Sequence, residues 1–168
     1  LALTMIAPRK KAPIVRMEPN LTKIVEAILY VILDAERRST TVSTYDIVKT
    51  LFLADRAHLN KYGRPITFDN YVAMVHGPVP SASYNVLKND ALTLKGINQP
   101  LPWSSRAAPE KGANAVAFVE PKRNVREDVL SESDLEELTS ALTIVQSLGF
   151  KQIRRLTHED QAYVDAWE

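Results

Sequence analysis

Cysteine is absent from this 168-residue chain, and its five glycines are scattered. Without thiols there is no disulfide scaffold, no thiolate zinc or iron–sulfur site and no cysteine nucleophile, and the cytoplasm is the expected compartment. Dispersed glycines build no phosphate-cradling loop, and neither G-x-x-x-x-G-K-[ST] nor G-x-G-x-x-G occurs. The G-x-S-x-G elbow of a serine nucleophile is missing too. Charge of one sign is not in surplus: 21 Lys+Arg against 20 Asp+Glu leave a formal +1, so bulk electrostatics does not point to nucleic acid. No window approaches the roughly 18 uninterrupted apolar residues that a membrane span needs.

What is present is enough apolar material for one core, with 45% hydrophobic residues. A chain of this length buries roughly two thirds of its unfolded surface. Residues 1–4, which precede Met5, are set aside from fold reasoning. Arg9, Lys10, Lys11 and Arg16 stand among Pro8, Pro13 and Pro19 without periodic apolar residues. Residues 1–19 are therefore expected to form a flexible basic arm, and residues 20–168 one folded domain.

The periodicity is mainly helical. After Pro19, Asn20 is a candidate N-cap for a helix whose stripe is Ile24, Ala27, Ile28, Val31, Ile32 and Ala35, ending at Glu36-Arg37-Arg38. Ser43-Thr44-Tyr45-Asp46 has the form of a capping box, and Ile47, Leu51, Ala54, His58 and Tyr62 continue one face up to Gly63. Tyr71, Ala73 and Val75 alternate with Val72, Met74 and His76, the period of a short strand. Gly77-Pro78-Val79-Pro80 is expected to block helix and sheet bonding alike, and Ser81 to restart a helix running to about Leu92. Residues 93–114, with Gly96, Pro100, Pro102, Pro109 and Gly112, read as a long surface loop. Trp103 within it either packs back on the core or marks a contact. Ala115–Val119 is a second strand candidate, a possible partner for Tyr71–Val75. Leu135, Leu138, Leu142, Val145 and Leu148 line a further helix opened by Leu130-Ser131-Glu132-Ser133-Asp134, with Asp134 and Glu137 expected on its solvated face. Two short helical turns follow, split at Thr157-His158-Glu159-Asp160, where Thr157 is the expected cap and His158 the first residue beyond it. The expected fold class is α+β: a mostly helical single domain with a small antiparallel sheet.

Chemistry is sparse. Asp55 and His58, three residues apart on one helix face, can orient an imidazole, share a metal or simply bond to each other. His76, before Gly77-Pro78, can take part directly in function or orient the bend by bonding to backbone. A metal- or His-dependent enzyme using Asp55, His58 and His76 is the reading from the enzyme class, and it requires their side chains to converge. Lys49, Arg56, His58 and Lys61 give the second helix a superficial likeness to a DNA-recognition helix, but its N-terminal part carries Tyr45 and Asp46 rather than basic residues.

The run from Lys49 to Thr67, which contains Leu51-Phe-Leu-Ala-Asp-Arg-Ala-His58 and Tyr62-Gly-Arg-Pro-Ile-Thr67, is followed by Tyr71-Val-Ala-Met-Val-His-Gly-Pro-Val-Pro-Ser81. Together these resemble the signature of the Panacea domain, the SocA-like antitoxin family, also found among phage-associated proteins. Leu53 stands where the family often has an aromatic, and Leu156-Thr-His-Glu159 before Trp167 is similar to a late family feature. The resemblance spans about residues 20–168. It implies a non-enzymatic antitoxin that neutralises a cognate protein toxin by direct binding, with no cofactor and no metal. A role as adaptor delivering the toxin to a protease is the alternative the family offers. Some relatives carry an added DNA-binding domain, for which the segment before Asn20 is too short, so a nucleic-acid partner is not expected. The bends at Gly63-Arg64-Pro65 and Gly77–Pro80 leave flanking residues little entropy to lose on binding. Candidate toxin-binding or signature residues are Asp55, Arg56, His58, Tyr62, Arg64, Tyr71, His76, Pro78, Tyr84 and Trp103.

Overall fold

Asn20 opens the first helix as the sequence predicts, its side-chain oxygen accepting from the Lys23 N–H at 3.0 Å. The computed structural model describes residues 13–167; Arg9, Lys10 and Lys11 of the expected arm lie outside them. In chain order the elements are α1 (Leu21–Arg37), β1 (Val42–Ser43), α2 (Thr44–Tyr62), β2 (Tyr71–Met74), β3 (Gly77–Pro80), α3 (Ser81–Leu87), α4 (Ala91–Lys95), β4 (Ser104–Ala107), β5 (Val116–Val119), α5 (Glu132–Ser147), α6 (Phe150–His158) and α7 (Gln161–Trp167). This is the expected α+β class, mostly helical with small antiparallel sheets.

Three helices supply most of the core. The α1 stripe of Ile24, Ala27, Ile28, Val31, Ile32 and Ala35 is buried, as are Ile47, Leu51 and Ala54 of α2 and Leu138 and Leu142 of α5. Both longer caps close reciprocally. Ser43 accepts from Asp46 N–H at 3.2 Å while its own N–H donates to the Asp46 carboxylate at 2.8 Å, and Ser131 and Asp134 repeat the exchange at 3.2 and 2.9 Å. Gly63, at φ 79°, ends α2 in the left-handed region, where a Cβ is penalised. Tyr30 to Thr139 at 2.7 Å and Arg38 to Thr143 at 2.8 Å then seam α1 to α5.

The sheets depart from expectation. Tyr71–Val75 and Ala115–Val119 do not pair with each other. β5 lies between β1 and β4, while β2 pairs with β3 in a separate hairpin. Gly77–Pro80 is thus a strand rather than a break. The register sets Tyr71 against Pro80, Val72 against Val79, Ala73 against Pro78 and Met74 against Gly77, and Ser81 N–H donates to Asn70 O at 2.9 Å. Antiparallel pairs alternate between bonded and non-bonded. Both prolines fall on the non-bonded positions, where no N–H is asked of them.

The expected helix from Ser81 to Leu92 is two helices. Asn89 adopts φ 57°, and Asp90 caps α4 through Thr93 N–H at 3.0 Å, so local Asx chemistry wins over the apolar spacing. The expected loop at 93–114 contains β4, paired along its length with β5. Trp103 just before it is 6% exposed and belongs to the core. Thr157 does not cap a helix. It lies inside α6 and its hydroxyl donates back to Ile153 O at 3.0 Å, while Asp160 is the residue that accepts from the next helix, at Ala162 N–H. Among the described residues no helix is long and apolar enough to cross a membrane.

Candidate functional site

Asp55 is buried on α2 and has no cationic partner among the described residues; instead it gathers four donors from the chain that follows. Ile66 N–H and Thr67 N–H approach one oxygen at 2.7 and 2.9 Å, and Thr67 Oγ1 and Tyr71 Oη approach the other at 2.5 and 2.7 Å. Burial pushes the carboxyl above its ordinary range, and the bonds from Thr67, Tyr71 and Ile66 work against it. Burial, and then the Asp55 charge, push the Tyr71 phenol well above its usual value, so it stays a donor. Thr67 Oγ1 passes the network on, accepting from Asp69 N–H at 3.2 Å. The Asp69 carboxylate accepts from Ala82 N–H, Ser83 N–H and Ser83 Oγ at 3.0, 2.7 and 2.7 Å, and so caps α3 from outside the helix. Phe68, between the two network residues, sits at φ 57°, a left-handed conformation that an aromatic residue adopts only when its neighbours are fixed.

A second carboxylate does the same at the other end of that loop. Asp134, fully buried at the start of α5, meets Lys23 at 3.0 Å, Arg64 at 3.0 Å and His58 Nε2 at 3.2 Å. His58, also buried, is turned away from Asp55. Its Nδ1 lies 2.7 Å from Arg64 O and its Nε2 2.9 Å from Ser133 Oγ. Burial works to raise the Asp134 carboxyl, but the Ser131 N–H, Lys23 and Arg64 together hold it below the usual carboxylate range. Asp134 and Glu137 are therefore not on a solvated face as expected. Both are buried, because α5 turns that side toward Lys23, Arg64 and Lys61.

The hairpin is pinned from three directions. Lys49, 1% exposed, donates to Pro78 O at 2.9 Å. Tyr163 of α7 donates to Met74 O at 2.7 Å, and Arg154 of α6 to Val75 O at 3.2 Å through Nη2. Gly77 makes the first contact possible: at φ 109°, a Cβ there would stand 2.7 Å from both Lys49 Nζ and Thr157 Oγ1. Burial lowers the Lys49 ammonium to about 8.

These are the residues of the sequence signature, and a family model described as antitoxin SocA-like, Panacea domain, matches residues 47–163. The match covers more than half of the chain. The chain belongs to the SocA-like antitoxin family. No curated protein and no solved structure matches it.

In this Panacea domain, the signature residues divide into two kinds. Asp55, His58, Tyr71 and Pro78 face inward and hold α2, the 64–70 loop and the hairpin together, while Arg64 reaches inward to Asp134 with a third of its side chain exposed. Asp55 and His58 do not bond to each other, and His76 stands apart from both at the hairpin tip, its ring edge-on to Phe150 at 5.5 Å. The three side chains of the enzyme reading are thus engaged in three different places, and no cluster of three or more metal-ligating side chains occurs among the described residues. Arg56 pairs with Asp160 at 3.0 Å on the outer face of α2. Tyr62 is exposed beside His58, and Tyr84 lies under Lys88 on α3.

Sequence reasoning missed Lys49 and Asp69 as organising residues, and missed the exposed face of the hairpin. Val72, Met74 and Val75 are about half exposed, as are Phe150 and Trp167 nearby. Trp167 stacks on Tyr163, which stacks on His158, so the apolar surface runs from the hairpin onto α7. The signal was available: in Tyr71–Val75 both alternating sets are apolar, which leaves one set without a core to enter.

Proposed function

We propose that this chain is an antitoxin that holds a cognate protein toxin inactive by direct binding in the cytoplasm, without catalysis of its own. In this reading residues 20–168 form the antitoxin domain, with residues 1–19 as a basic arm tied to it from Met17, whose N–H donates to Asn70 Oδ1 at 2.9 Å. The observation that carries the reading, beside family membership, is the exposed apolar face of Val72, Met74 and Val75 on a hairpin whose backbone is fixed by Lys49, Arg154 and Tyr163. A contiguous apolar patch on an ordered surface marks an interaction site, and a pre-ordered one loses little entropy on binding. The inward carboxylate networks supply that order.

The test is co-expression with the product of the adjacent open reading frame. Rescue of growth together with a co-purifying complex is the expected result, and replacement of Val72 and Met74 by Asp is expected to abolish both. A neighbouring product that stays toxic, or that is neutralised without a complex, overturns the reading. If neutralisation is accompanied by a shortened toxin half-life, delivery to a protease replaces occlusion as the mechanism.

A further inference from the structure

Beside the hairpin tip opens a cleft of about 700 Å³, lined by His76, Phe150, Lys151, Arg154, Arg155 and His158. The chain as a whole carries a formal +1, yet this lining holds three Lys/Arg side chains and no carboxylate. Arg154 directs its Nε and Nη2 to Val75 O rather than to an acid, and Arg155 meets Glu159 only at the exposed rim, at 2.9 Å. Helix α6 itself, Phe150–His158, contains no Asp or Glu.

A second observation, beside the charge, shows polar capacity left unused in this lining. The Nε2 of His158, a residue of this lining, is buried and without a hydrogen-bond partner among the described residues. Buried polar groups are nearly always partnered, so this orphan in the lining points to a place where a bound group supplies the missing partner. Burial, and then the positive charges of Arg154, Lys49 and His76, hold the His158 imidazole below its ordinary value. An anion entering the cleft would offset those charges.

We infer that this cleft receives an acidic segment of the toxin, its carboxylates against Lys151, Arg154 and Arg155 and an adjoining apolar side chain on Phe150 and Val75. The inference rests on the antitoxin reading and adds to it where, and with what chemistry, the partner docks. A protein segment fits better than nucleic acid. Three cations beside exposed Val75 and Met74 make a mixed surface, whereas a phosphate polymer is tracked by a long basic groove. Guanidinium forks match carboxylates, and rim charges of this kind act mainly on encounter rate and on salt dependence.

The probe is a synthetic Glu-Glu-Leu-Glu-Glu peptide with blocked ends, compared with its all-Gln counterpart and with a short single-stranded DNA. Saturable binding of the Glu peptide is expected, with movement of the His158 ring signals. Weakening by about tenfold is expected when Lys151→Glu and Arg155→Glu are combined, since neither side chain anchors the hairpin. Equal binding of the Gln peptide, or tighter binding of the DNA, overturns the inference. The same double variant is then assayed for toxin neutralisation, with thermal unfolding as the check on folding. Undiminished neutralisation places the toxin elsewhere and overturns the inference while leaving the antitoxin reading intact. Failure of the unaltered chain to neutralise defeats the antitoxin reading itself, and with it the toxin as occupant, whatever the peptide does.

Discussion

Lys49 and Pro78 are joined by a buried bond in which an ammonium meets a carbonyl at 2.9 Å, with no carboxylate paired to that ammonium among the described residues. A charge so placed is held at a cost, and the cost is readable as a pH dependence. In the unfolded chain Lys49 keeps its proton up to about 10.5, while in the folded chain it lets it go near 8. Between those values the unfolded state binds more protons, so stability rises with pH. The full span is on the order of 3 kcal/mol. Urea midpoints taken from pH 7 to 10.5 are expected to climb, and Lys49→Met to flatten that climb. Parallel curves for the two proteins would refute the assignment.

Asp134 gives the opposite limb. Its carboxyl is held below the ordinary value, so its contribution is present at neutral pH and is lost as the solution is acidified below about 4, through the folded-state value. Asp134→Asn leaves Lys23, Arg64 and His58 facing an amide and is expected to cost about 3 kcal/mol at pH 7. Acid unfolding followed by circular dichroism should lose part of its steepness in the variant. Unchanged stability at pH 7 would contradict the bonding described.

Gly77→Ala tests the approach of Lys49 to the hairpin. A Cβ at 2.7 Å from two polar side-chain atoms, on a residue at φ 109°, is expected to destabilise by roughly 2 to 4 kcal/mol. Gly149→Ala is the control, because its φ is −74° and nothing lies within 4 Å of the added carbon. The control removes only a helix N-cap glycine and is expected to stay within about 1 kcal/mol of the unaltered chain. Similar losses in both would mean that the close approach is not what the glycine permits.

Tyr71→Phe removes one of the four donors to Asp55 and nothing else of size. A hydrogen bond to a charged group contributes about 1.5 to 3 kcal/mol, so a loss in that range is expected in chemical denaturation. The Asp55 carboxyl should also move further up, which a site-specific carboxylate titration would detect. A neutral substitution would show that Thr67 and the two backbone donors satisfy Asp55 alone.

Much of the fold was written in local chemistry. The caps at Asn20 and Ser43, the helix opening at Leu130–Asp134, the stripe of α1 and the stop at Gly63 follow from side chains within a few residues of each other, and the structure repeats them. The hairpin was not legible because proline is read as a breaker, and only the pairing parity shows that Pro78 and Pro80 sit where no donor is required. The partner of β5 was misread for a related reason: β1 is two residues long and carries no periodic signal. The site was half legible. The Panacea signature marked Asp55, His58, Arg64 and Tyr71, but a single chain's spacing says nothing of direction, and all four direct polar groups inward. Lys49 and Asp134 looked like surface charges because their partners lie 29 and up to 111 residues away in the chain.

The two carboxylates at the ends of the 64–71 loop also differ in when they can act. The bond from Ile66 to Asp55 closes a span of 11 residues, whereas that from Arg64 to Asp134 closes 70. Each doubling of a loop costs about 0.6 kcal/mol in closure entropy, so the longer link starts roughly 1.6 kcal/mol behind. During synthesis, the Asp55 cluster has all its partners once Tyr71 has emerged, while the Arg64 guanidinium and His58 Nε2 wait for Asp134 and Ser133 until α5 arrives. The docking of α5 therefore follows what the Asp55 cluster can already form, and a chain that stops short of it would present the loop and α2 with one carboxylate satisfied and the other missing.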